Sequence, residues 1–149
     1  MSMPEFVPKF LTPLILEEYM RGARSVPGEW VVFQPLIYEG SLGQLTVPRG
    51  FITDLASIPK FMRGLLDVND SHRRAAVLHD FLYCAQHLTR KQADDLLLEA
   101  MEAIGVQAWK RNAMYAAVRV GGWAYWNKRA NERPANGKDF VGPNYFNVP

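Results

Sequence analysis

The sequence predicts an α+β fold, a small antiparallel sheet in the N-terminal third packed on a C-terminal three-helix body. Three observations predict it. Aromatic and β-branched residues come in short runs, "EWVVFQPLIYEG", "SLGQLTVPRG" and "GFITDL", separated by glycine and proline. Beyond Pro59 the apolar residues switch to helical spacing. Helix-start signals also appear there: Asn69, Asp70 and Ser71, and Thr89 followed by Gln92 as a capping box.

In chain order, residues 1–28 read as an arm with a short helix. Prolines at 4, 8 and 13 hold residues 1–16 extended, and "ILEEYMRGA" (15–23) is expected to be helical and to stop near Gly22. The sheet follows over 29–58. Its strands are 29–40, an edge or bulged strand because of Pro35, then 41–50 and 50–55. The helical body occupies 60–127. "KFMRGLL" (60–66) supplies one or two turns, and helices are expected over 71–86, 90–104 (closed by Gly105) and 107–127. Gly121-Gly122 is a weak point or a close-packing notch. Residues 128–149 show no period and read as an extended tail. The whole, 1–149, fits one domain.

Composition narrows the function classes. A net charge of +2, with cations scattered in short pairs such as Arg73-Arg74, Arg90-Lys91, Lys110-Arg111 and Lys128-Arg129, describes a solvated surface and argues against nucleic acid. The single Cys84 rules out an internal disulfide and multi-thiolate zinc sites, and its apolar setting marks it as a small buried filler. The N-terminal stretch lacks the basic start of a secretory leader. The apolar stretch 108–126 carries Lys110, Arg111 and Arg119, against a membrane-spanning helix. Its aromatic residues Trp109, Trp123, Tyr125 and Trp126, at helical spacing, are expected in the core. His72 and His87 could join His79 on a metal, but His72 lies two helical turns from His79, about 10 Å away and too far to share one easily, so both are expected at the surface or against a partner.

"AAVLHDFLYCAQHLTRKQADDLLLEAM" (75–101) carries the chemistry. On the first helix His79 shares a face with Ala75, Ala76, Leu82 and Tyr83. On the next, Asp94 borders the apolar stripe of Ala93, Leu96 and Leu97, whereas Asp95 falls on the wetter side. Residues equidistant from the turn of an antiparallel helix pair come level, so His79 and Asp94 are placed to meet. A carboxylate on the ring orients a histidine and makes it more basic, as a general base requires. Asp80, about 100° further round, points to a neighbouring loop where it could hold a hard cation. The other reading of the same pair is a buried tie between two helices. Asp54 either caps the turn at 55–58 or supplies an oxygen to the metal.

Two resemblances arise at these residues. "VPRGFITDLASIPKF", "RRAAVLHDFLY", "TRKQADDLLLEAM" and "WKRNAMYAAVRVGG", spanning about 47–122, resemble a family of small uncharacterised proteins of tailed bacteriophages and prophages. "AAVLHDFLY" with "ADDLLLEAM" is similar to the helix pair of the phospholipase A2 superfamily, the parvovirus-capsid version above all. That likeness implies His79 as water-activating base, Asp94 as its orienting partner, Tyr83 bonded to Asp94, and Asp80 as a calcium ligand. The Tyr-x-Gly-x-Gly calcium loop of that superfamily is absent from this sequence, which leaves Asp54 and the Thr53 and Ser57 hydroxyls as the oxygen donors before the helix.

Two functions follow. The first is a phage-encoded virion or assembly component, tail- or connector-associated, that keeps the helix pair as scaffold and reaches other virion proteins or copies of itself through its terminal arms. The alternative is a calcium-dependent phospholipase A2-like ester hydrolase acting on membrane lipid through a His79–Asp94 dyad. Synthesis in the host bacterial cytoplasm fits both, and incorporation into the virion belongs to the first.

Overall fold

The computed structural model describes residues 3–53 and 72–132. Asp54, the expected turns at 60–66 and the tail beyond 132 lie outside the described residues. The fold is α+β. Six strands come first: β1 (Lys9–Phe10), β2 (Leu16–Arg21), β3 (Arg24–Val32), β4 (Leu36–Gly40), β5 (Gly43–Val47) and β6 (Ile52–Thr53). Three helices follow: α1 (His72–Ala85), α2 (Arg90–Ala103) and α3 (Ala108–Glu132). The strands form two antiparallel three-stranded sheets, in the orders β1-β4-β5 and β2-β3-β6.

The N-terminal half departs from expectation in three places. "ILEEY" is a strand and not a helix: Leu16, Glu17 and Glu18 pair with Val32, Val31 and Trp30. The ladder to β3 overrides the helix-forming glutamates, as tertiary pairing commonly does. Gly22, at φ +62, takes the first central position of the two-residue turn closed by Arg21 and Arg24, where a hairpin of this hand needs a residue without Cβ strain. The expected strand 29–40 is two strands. The chain breaks at Phe33–Pro35, and β3 and β4 enter different sheets. The arm is stitched down: β1 pairs with β4, Leu11 N donates to Ile37 O at 2.8 Å, and Thr12 Oγ1 both donates to Pro35 O and accepts from Ile37 N.

The strands bury alternate residues, Leu36, Tyr38 and Gly40 on β4 for example. Their inner faces, with Val32, Val47 and Phe51, join Ala75, Leu78, Leu82, Leu96, Leu97, Met101, Met114 and Val118 of the helices in one core. Tyr38, fully buried, donates to Glu99 Oε1 at 2.7 Å, and the Ser41 amide donates to the same oxygen, tying sheet to α2. Burial and the Glu99 carboxylate push the Tyr38 phenol far above its ordinary range, so it stays a donor.

The helices lie close to their expected bounds. The capping box is formed: Thr89 Oγ1 accepts from Gln92 N at 3.1 Å and Gln92 Oε1 from Thr89 N at 2.9 Å. α3 runs to Glu132, five residues beyond the expected end at 127. Trp109 and Trp123, expected in the core, are exposed, while Tyr125 and Trp126 pack against it. His72, expected at the surface or against a partner, is buried at the start of α1.

Leu97, fully buried between α1 and α2, tests the hairpin. Leu97→Ala is expected to cost about 2–5 kcal/mol in urea unfolding, as buried leucine truncations do. A loss at the surface level of roughly 0.5 kcal/mol would place Leu97 outside the core.

Candidate functional site

Asp94 is the hub. Its carboxylate is fully buried and accepts from four side chains on three helices. Oδ1 lies 2.8 Å from His79 Nε2 and accepts from Tyr83 OH at 2.6 Å. Oδ2 accepts from Arg119 Nη1 at 2.7 Å and Arg90 Nη1 at 3.3 Å. His79 and Tyr83 sit one turn apart on α1, their rings 4.3 Å apart, so one face delivers both donors. The expected meeting of His79 and Asp94 is present.

Burial by itself would raise the Asp94 carboxyl, but the hydrogen bonds from His79, Tyr83 and Arg119 and the electrostatic pull of His79 outweigh it and hold the group below its ordinary 3.8. Tyr83 moves the other way. Burial first, then its bond to the Asp94 carboxylate, push the phenol far up, so it stays protonated and donating.

Gly122 of α3 is why Tyr83 reaches. It is buried, and a Cβ there would fall on the Tyr83 hydroxyl. The notch half of the reading for this glycine pair thus belongs to Gly122; Gly121 is exposed, with open space around it. Arg90 reaches the same stretch from α2, donating to Val118 O at 3.0 Å and to Arg119 O at 3.3 Å.

Asp80 belongs to a second buried cluster. Its Oδ2 accepts from Thr53 Oγ1 at 2.6 Å and its Oδ1 from Tyr125 OH at 2.9 Å. Arg129 Nε in turn donates to Tyr125 OH at 2.7 Å. A hard cation needs six or more oxygen ligands. The described neighbours of Asp80 named here are instead hydroxyl donors, with the Arg129 guanidinium behind Tyr125. Among the described residues no three of His, Cys, Asp and Glu gather as a metal site. Asp54, the other expected metal ligand, lies outside the described residues.

Sequence reasoning missed Arg90, Arg119 and Tyr125. A signal for Arg90 existed: "RKQADD" sets two i,i+4 pairs in parallel, Arg90 with Asp94 and Lys91 with Asp95. Arg119 and Tyr125 approach across long stretches of chain and left no local mark.

The fold and these contacts define an α+β domain whose three helices are locked around a buried carboxylate. The chain belongs to the family described as a protein of unknown function, DUF1353, whose model matches residues 30–118. That match contains His79, Asp80, Tyr83, Arg90 and Asp94 and ends just before Arg119. An uncharacterized protein, y4jT of Sinorhizobium fredii (strain NBRC 101917 / NGR234), is 30% identical over 107 residues, 69% of this chain and 32% of its own length. The chain thus spans about a third of that relative. No solved structure matches. No helix among the described residues is long and apolar enough to cross a membrane.

The adjacent glycines give a paired test. Gly122→Ala is expected to destabilise by about 1–3 kcal/mol by displacing Tyr83, as overpacking does. Gly121→Ala, in open space, is expected to stabilise by roughly 0.5–1 kcal/mol through helix propensity. Equal effects in urea unfolding would contradict the notch. The Asp94 carboxyl sets a pH dependence. Its folded-state pKa is lowered, so its contribution is complete above the unfolded value near 3.8 and is lost as pH falls through the folded one. Unfolding free energy measured below about pH 4 should therefore fall more steeply in wild type than in Asp94→Asn.

Proposed function

We propose that this chain is a non-catalytic structural domain, a phage-encoded virion or assembly component in which the helix pair serves as scaffold. One observation carries the reading: His79, Asp80 and Asp94 have no exposed surface, and Asp94 is saturated by two arginines besides the histidine and tyrosine. A general base must reach the water it activates, and a carboxylate shared with Arg90 and Arg119 is committed to holding three helices together. The phage setting rests on the likeness of "GFITDLASIP" and "AAVLHD" to small phage and prophage proteins.

The ester-hydrolase reading has its own observation, the ring nitrogen and the phenol of one α1 face both bonded to Asp94 Oδ1. It needs His79 and Asp80 to open to solvent, and it needs six or more oxygen ligands around the cation.

Calcium titration by calorimetry, with a lipid-ester release assay alongside, separates the two. The scaffold predicts no heat at millimolar calcium and no release, while Asp94→Asn loses about 3–5 kcal/mol of stability, as a broken buried ion pair does. It also predicts the chain in purified particles by mass spectrometry, in stoichiometric amount. Ester release abolished by His79→Ala in a folded protein would overturn it.

A further inference from the structure

The helix least used by the hub on its outer side carries the largest apolar exposure of the helical body. On α3, Trp109 is 58% exposed, Val120 78% and Trp123 59%. At about 100° per residue all three lie within about 40° of Ala116, which is itself exposed, on one stripe about 21 Å long from Trp109 to Trp123. Exposed apolar stripes of this kind mark binding surfaces, and tryptophan is the residue most often found at the energetic centre of one.

The spacing is symmetric. Trp109 and Trp123 stand seven residues to either side of Ala116, and Asn112 and Val120 four. A stripe with a tryptophan at the same distance on either side of a small central residue can match a copy of itself turned end for end, as a two-fold interface requires. We propose that the outer face of α3 is a self-association surface on which a second copy of this chain packs its own α3 antiparallel about Ala116, Trp109 of each against Trp123 of the other.

Charge agrees with that occupant and with that direction. The stripe carries no charged side chain of its own. Arg119, at its edge, is turned back to Asp94. Lys110 lies about 120° round from Ala116. Antiparallel packing separates the two copies of Lys110 by about 18 Å along the axis, beyond the screening length of about 8 Å; parallel packing would set them level. Four indoles, each more than half exposed, with two valines and the residues between them, would leave water over roughly 1,000 Å², the lower bound for a specific interface. A pair of that size is a reversible one. This inference is independent of the scaffold reading and survives its failure.

The test is sedimentation equilibrium of the full chain over a wide concentration range. Wild type is expected to pass from 16.9 kDa to twice that mass. The double variant Trp109→Ala/Trp123→Ala is expected to stay at 16.9 kDa with an unchanged helical spectrum, while Met20→Ser, at an exposed site on β2, behaves as wild type. Direction is read by mixing Asn112→Cys protein with Val120→Cys protein under oxidation: links between the two variants are expected, and few within either. A wild type that stays monomeric at every concentration overturns the proposal, as does a double variant that still dimerises. Linking mainly of Asn112→Cys to itself overturns it too. So does binding of monomer to phosphatidylglycerol vesicles that the double variant loses, which would give this face to a lipid surface.

Discussion

The structure depends on one buried negative charge. A carboxylate taken out of water costs several kcal/mol unless its lone pairs are filled and its charge is matched. Asp94 meets both conditions with four donors, two of them guanidiniums. Each donor fixes something different. His79 and Tyr83 set the level of α1 against α2, and Arg119 sets the level of α3. Arg90, reaching past the carboxylate to carbonyls of α3, sets how close the third helix lies. A slip of any helix by one turn, about 5.4 Å, would break at least one of these bonds and strand a charge in the core. Hydrophobic stripes alone tolerate such slips far better. The hub thus contributes registry more than net stability, a role for which buried polar groups have precedent.

How much of this was legible follows from how local each contact is. The His79–Asp94 contact could be read because a helix hairpin converts sequence symmetry about a turn into spatial contact, and Thr89 with Gln92 marked where the second helix begins. β2 was misread because its residues favour a helix in isolation and the partner that overrules them, β3, begins only after the turn. Phe33–Pro35 was taken for a blemish within one strand when it is the point where the chain changes sheets. Arg119 and Tyr125 had no signature at all. A cation on one helix that serves a carboxylate 25 residues earlier looks like any solvated cation until the helices are packed.

Trp109 and Trp123 show the converse error. Helical spacing of aromatics was read as a core stripe, and α3 does have one, through Met114, Val118 and Tyr125. The two tryptophans lie on the opposite side. A 25-residue helix against two of 14 outruns its partners, so its amphipathic pattern can serve an inner face and an outer one. Periodicity identifies a face; it does not say which molecule covers it.

The same geometric facts serve both a scaffold and a catalytic dyad. A histidine held by a carboxylate, with a tyrosine on the same oxygen, is a good solution to orienting an imidazole and equally a good solution to burying an aspartate. What divides the two is the remaining oxygen. In a working dyad the carboxylate serves the ring, and the ring serves water. Here Oδ2 is taken by Arg119 and Arg90, and the ring is sealed. The two arginines match the charge of a buried aspartate.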